Sequence, residues 1–274
     1  MASRTNGRGM RRFAIIILVL SVLAVTLLAA MGPAWQAGLL DLGTIFGTIF
    51  PNVAYAALGL AAIALIGLVF SGARGRVGAA MLFGLALALS GGAGWKMNDL
   101  RQTGQSVPPI HDVTTDPDTP PQFATLSPER PADELRVPAR PCPEDAAESC
   151  VDMSDMTPQE RWRAYHDAAY GDLESLSLSI PPRAALALSE RAARDMGWEI
   201  VASVPQAGRI EATATTDWFG FKDDVVIRIA ATEAGTSVID IRSVSRIGVS
   251  DLGANAERIR VYLDTLKGLA PQNS

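Results

Sequence analysis

Residues 198–241 read WEIVASVPQAGRIEATATTDWFGFKDDVVIRIAATEAGTSVIDI, and the alternation within them decides the fold. Trp198, Ile200, Ala202 and Val204 form one set. Ile210, Ala212 and Ala214 form the next, then Val225, Ile227 and Ile229, then Ile239 and Ile241, with polar neighbours between them. A side-chain period of two belongs to a strand with one covered face and one wet face. Pro205-Gln206-Ala207-Gly208 and Glu233-Ala234-Gly235-Thr236 supply turn chemistry between sets, so the four strands form an antiparallel meander.

Upstream, Leu176, Leu178 and Ile180 alternate with serines as a further half-buried strand within 173–180. Pro181 and Pro182 open a helix to Met196, with Ala185, Leu188, Ala192 and Met196 on one face and Gly197 as terminator. Downstream, Leu252, Ala256, Ile259, Leu263 and Leu266 mark an amphipathic helix from about Asp251, and Asn255, Glu257, Arg258 and Lys267 form its other face. The order strand, helix, four strands, helix predicts a two-layer α+β domain over 171–270 with both helices on one face of the sheet. No Gly-rich phosphate fingerprint follows a strand, so a nucleotide-binding fold is not supported.

Residues 96–170 read as a Pro- and Asp-rich arm, as in Asp116-Pro117-Asp118-Thr119-Pro120-Pro121, with a short helix from Thr157 (N-cap) and Pro158 to Tyr170. Cys142 and Cys150 lie close together in this arm. In an oxidising compartment a small-loop disulfide is the preferred reading, with two free thiols as the alternative. No histidine falls at ligand spacing for a metal, and no cofactor is expected.

The first 95 residues read as a transmembrane module. Runs without a charge at 13–31, 53–70 and 77–95 are each long enough to cross a hydrocarbon core of about 30 Å. They account for a hydrophobic share of 48% and a mean hydropathy of +0.18 over 274 residues. Arg4, Arg8, Arg11 and Arg12 precede the first run, and Arg74 and Arg76 fill the turn between the second and third. Basic residues stay on the cytoplasmic side, so the N-terminus is expected inside and the C-terminal domain outside the inner membrane, in the periplasm. The first run, with its charged start and Ala29-Ala30 end, also has features of a signal peptide. On the third, Ala80, Gly84, Ala88 and Gly92 recur every fourth residue, a stripe that suits helix pairing or reflects composition alone. None of the runs contains an ionisable residue, which argues against an ion channel or proton-coupled transporter. Residues 1–94 hold six of the 24 basic residues and one of the 29 acidic ones, leaving the remainder at a formal charge of about −10. That balance argues against nucleic acid as partner.

Two segments are dense in chemistry: 215–224, with Trp218, Phe219 and Phe221 around Gly220 and then Lys222, Asp223 and Asp224, and 242–253, which begins Arg242-Ser243-Val244-Ser245-Arg246. Together with Gly197-Trp198-Glu199-Ile200, Gly208-Arg209-Ile210-Glu211-Ala212 and the upstream Ile110-His111-Asp112-Val113-Thr114-Thr115-Asp116, they resemble domain-of-unknown-function family 1499 of bacterial membrane proteins and plastid relatives. The likeness covers roughly 110–268, and the family name itself implies no activity.

Arg228, Arg242 and Arg246 occupy even positions on neighbouring strands, so with Lys222 they form a candidate cationic strip for a carboxylate or phosphate. The competing reading pairs them with Asp223, Asp224, Asp240 and Asp251. Trp218, Phe219 and Phe221 form a candidate apolar lip for a lipid tail, a partner or the membrane surface, or else pack in the core. An enzyme reading recruits His111 with Asp112 as base and Ser243, Ser245 or Ser250 as nucleophile; His166 has weaker claims. The expected function is a non-catalytic envelope module that binds an anionic or amphipathic ligand or an envelope protein. A hydrolase and a structural brace for membrane-protein assembly are the alternatives.

Overall fold

The computed structural model describes residues 2–126, 137 and 153–271. Cys142 and Cys150 lie outside the described residues. The chain divides into two compact units, one of residues 1–103 with 218–220, the other of residues 104–217 with 221–274.

The first unit is built on α1 (Ala2–Gln36), the one-turn α2 (Leu42–Thr44), α3 (Phe50–Gly72) and α4 (Val77–Ser106). Three stretches, 7–36, 42–72 and 77–106, are long and apolar enough to cross a membrane. The first and third outrun the uncharged runs that announce them because flanking polar residues continue the same helix, and the second takes in the largely apolar 42–52 ahead of its run. Asp41 starts α2 by accepting the Thr44 amide at 2.8 Å, and a π-helical turn, Ile45–Ile49, joins α2 to α3. Phe83 is fully buried, and a Cβ on Gly67 would meet its ring at 2.5 Å, so the missing side chain makes room for it. The buried row of α4 is Ala79, Phe83, Ala86, Ser90 and Gly94. Its neighbours Ala88 and Gly92 in the small-residue stripe are exposed.

The second unit contains the α+β domain. Its sheet runs β1 (Asp112–Thr114), β6 (Ser237–Ser245), β5 (Lys222–Ala231), β4 (Arg209–Thr215) and β3 (Glu199–Val204). All these pairings are antiparallel. The short β2 (Leu176–Leu178) shares the outer edge of β6 with β1, pairing with residues 237–239 while β1 pairs with 242–244. The meander follows the alternation in the sequence, and Gly208 shows why its first turn needs glycine. Its φ is +57°, and a Cβ there would lie 2.1 Å from the Ile229 carbonyl oxygen.

One face of the sheet carries Ile210, Ala212, Val225, Ile227, Ile229, Ile239 and Ile241, all buried with α6 (Pro182–Asp195) and α7 (Ala254–Leu269) in a single core. Each fully buried valine or isoleucine among them contributes roughly 1.5–3 kcal/mol. Gly197, at φ +75°, ends α6 as its sequence position predicts. The helix α5 (Pro158–Tyr170) begins with a reciprocal cap, the Thr157 hydroxyl accepting the Glu160 amide while the Glu160 carboxylate accepts the Thr157 amide at 2.7 Å. It fastens β1: Trp162 Nε1 donates to the Asp112 carbonyl at 2.9 Å, and His166 Nε2 lies 2.9 Å from the Thr114 carbonyl. Burial lowers the His166 pKa, and hydrogen bonding to Thr114 opposes that only in part.

Candidate functional site

The second face of the sheet is charged, yet much of it is buried. Antiparallel register aligns Arg228 with Asp240, Val226 with Arg242 and Asp224 with Val244 across β5 and β6. Period two then places Arg228, Arg242, Asp224 and Asp240 on this side, with Glu211 and Thr213 of β4 and Asp112 of β1. Arg246 follows β6 directly, and its amide donates to the Lys222 carbonyl at 3.0 Å. The strip of Lys222, Arg228, Arg242 and Arg246 expected from sequence is therefore brought together.

Each arginine of the strip meets an aspartate. Arg228 Nη2 lies 2.8 Å from Asp240 and 2.7 Å from Asp116. Arg242 holds both oxygens of Asp112, at 2.9 and 2.7 Å. Arg246 holds both oxygens of Asp224, at 3.0 and 2.8 Å, and keeps 41% of its side chain exposed. Lys222 is exposed at the start of β5 and has no side-chain partner among the described residues.

The face is buried because residues 115–126, part of the sequence-defined arm, cross it as a strap that bends at 117–119 and again at 124–126. Arg228 Nη1 donates to the Thr119 carbonyl at 2.7 Å, and Arg242 Nη1 to the Pro121 carbonyl at 3.3 Å. The Arg242 guanidinium carbon lies 5.9 Å from the centre of the Phe123 ring. Glu211, fully buried, accepts three successive backbone amides: Ala124 at 2.9 Å, Thr125 at 2.9 and 3.1 Å, and Leu126 at 2.6 Å. Consecutive amides that converge on one carboxylate form an anion-binding nest, here filled from within the chain. Val226 and Val244 are the buried apolar floor of this face. Burial pushes the Asp116 carboxyl up, but hydrogen bonds from Thr119 and Arg228 outweigh it and bring the pKa down to about 2.

The remaining candidates fall elsewhere. His111 is buried, its Nδ1 3.4 Å from the Val249 carbonyl oxygen. Ser243 donates to Asn255 Oδ1 at 2.6 Å, Ser245 accepts from Asn255 Nδ2 at 2.9 Å, and Ser250 donates to the Pro108 carbonyl at 3.3 Å. Asn255 Nδ2 also donates to the His111 carbonyl, and Arg258 joins this helix-side network by donating to Asp223 at 2.5 Å. Asp251 accepts the Gly253 and Asn255 amides, and burial raises its pKa despite both bonds. Phe221 is half-buried and closes its turn with Thr216, each amide bonding back to the other residue at 2.9 Å.

Trp218 and Phe219 belong to the helical unit. Trp218 Nε1 donates to the Ala29 carbonyl at 3.1 Å, and Gln36 Nε2 donates to the Trp218 carbonyl at 2.9 Å. The Trp218 ring stacks on Phe50 at 6.1 Å, and Phe219 sits 5.4 Å from Phe46.

Glu211, Asp116, Asn255 and Arg258 carry much of this geometry without standing out in the sequence. A polar residue on the wet side of a strand, such as Glu211, looks alike whether it meets water or a strap. Asn255 and Arg258, expected on the outward face of α7, turn to Ser243 and Asp223 of the sheet instead. Among proteins with curated descriptions, none matches the chain. The model of a protein family of unknown function, DUF1499, matches residues 112–266, which span β1 to α7, and the chain belongs to that family.

Proposed function

We propose that the chain is a membrane-anchored, non-catalytic binding module of the cell envelope, with its α+β domain on the outer side of the cytoplasmic membrane. The observation that carries this reading is the charged sheet face, where Arg228, Arg242 and Arg246 stand in a row and a segment of the chain is already seated. A surface that holds a segment through guanidinium forks is built for recognition. Lys222 and the exposed part of Arg246 are the groups that would hold an anionic head group. Val249 and Leu252, about 44% and 43% exposed in the loop after β6, offer adjoining apolar surface in sequence. Leu252 keeps a left-handed φ of 56°, the kind of local strain that persists where a surface is used.

The hydrolase alternative is less favoured, because Ser243, Ser245 and Ser250 are engaged by Asn255 and Pro108 and Asp112 is engaged by Arg242. The outward orientation rests on the Arg-rich N-terminus and the Arg74–Arg76 turn.

Native mass spectrometry of the full chain released from detergent micelles tests the reading. A co-purifying anionic or amphipathic molecule that is lost in Lys222→Glu, with the melting temperature unchanged, is the expected result. A folded chain with no adduct and no co-purifying protein overturns it.

A further inference from the structure

The strap shows what kind of partner the charged face recognises. From Asp116 onward its hydrogen bonds to the sheet fall on main-chain groups and one carboxylate: the Thr119 and Pro121 carbonyls, the Ala124, Thr125 and Leu126 amides, and Asp116, with the Phe123 ring beside Arg242. The groups that read them are charged side chains fixed on three adjacent strands: Glu211 on β4, Arg228 on β5 and Arg242 on β6. Arg228 and Arg242 are themselves fixed by Asp240 and Asp112, so their remaining N–H groups are aimed before anything binds. Five of the eleven side chains at 116–126 face solvent: Asp118, Thr119, Gln122, Ala124 and Thr125. Recognition that depends largely on backbone groups, with Pro117, Pro120 and Pro121 restricting the segment's freedom, tolerates other sequences of the same chemistry.

We propose that Glu211, Arg228 and Arg242 form a site for a proline-containing acidic segment of a partner protein that bends as the strap does, and that residues 116–126 occupy it as a built-in competitor. This rests on the binding-module reading and names its partner class. The strap is tethered to β1 through Thr115, so it competes at an effective concentration on the order of millimolar. A partner in trans binds weakly until the strap is loosened. Asp116 is the residue to loosen, since its carboxylate reaches Arg228 from the strap at 2.7 Å and sits only partly buried.

The probe is a labelled synthetic peptide of residues 115–126, TDPDTPPQFATL, added to the full chain in detergent micelles and followed by fluorescence polarisation. Binding to Asp116→Ala at least about tenfold tighter than to the wild type is expected. Adding Glu211→Gln in that background should weaken it again, because an amide replaces the full carboxylate that the three amides face. Equal affinity for the wild type and Asp116→Ala, or binding to neither, overturns the proposal. Should Asp116→Ala fail to fold, the wild type with excess peptide provides the reading. Faster hydrogen exchange at the Ala124, Thr125 and Leu126 amides is then expected, and unchanged exchange overturns the proposal. Absence of peptide binding alongside a retained Lys222-dependent adduct would remove this inference and leave the module reading standing.

Discussion

Arg242 and Asp112 form a two-pronged ion pair across the β1–β6 edge, with Nε 2.9 Å from Oδ1 and Nη2 2.7 Å from Oδ2. The two side chains are 20% and 6% exposed, so this is a largely desolvated pair rather than a surface contact. Removing one partner leaves the other charge buried without compensation, at a cost of about 3–5 kcal/mol. Arg242→Ala is therefore expected to lower stability in chemical denaturation by that order. Replacing both residues with leucine should recover most of the loss, and a double variant no more stable than Arg242→Ala alone would show that the pair is not the cause.

Asn255 is a second place where one side chain closes several accounts. It is fully buried, accepts from Ser243 and Arg258, and donates to the His111 carbonyl and the Ser245 hydroxyl. Asn255→Ala strands those groups and is expected to cost roughly 2–4 kcal/mol. Asn255→Asp keeps the acceptor and removes both donors, so the His111 carbonyl loses its side-chain partner in either variant. Thermal melts of the two that match the wild type would refute the network's structural role.

These two residues show how much of the fold and site was legible in advance. The even spacing of Arg228, Arg242 and Arg246 predicts a common face, because strand period is local information. The meander, the α5 cap and the Gly197 stop are legible for the same reason. The strand β1 is not, since Asp112, Val113 and Thr114 are too few to display a period and become a strand only because β6 presents an open edge. The strap has no period at all, because its hold on the sheet runs through backbone groups that carry no signature in the sequence.

The strap should be sensitive to acid. The Asp116 carboxyl, with an ordinary value of 3.8, is held at about 2. Its folded pKa is depressed, so its stabilising effect is fully present above about pH 4 and is lost as pH falls through about 2. Pulsed hydrogen exchange at Ala124–Leu126 across pH 5 to about 2, corrected for intrinsic exchange, is expected to show protection fading in that window. Asp116→Asn should remove the Asp116 component of the fading. An identical profile in both proteins would place the acid sensitivity elsewhere.

The last prediction concerns the helical unit. Pro33 lies inside α1 and has no N–H, so the Ala29 carbonyl four residues earlier lacks its helical donor. Trp218 Nε1 takes that place at 3.1 Å. The approach depends on Gly32, where a Cβ would stand 2.1 Å from the Trp218 carbonyl oxygen and 2.5 Å from its Cδ1. Gly32→Ala must push the Trp218–Gly220 segment away and break the indole bond, a misfit of about 1–3 kcal/mol by the usual cost of overpacking. Gly92→Ala is the control, because a Cβ there meets open space. Hydroxyl-radical footprinting of the full chain reads the outcome at one residue. Labelling of Trp218, 40% exposed in the native chain, should rise in Gly32→Ala and stay level in Gly92→Ala. Unchanged Trp218 labelling in Gly32→Ala would mean that the indole does not depend on the room that glycine leaves on α1.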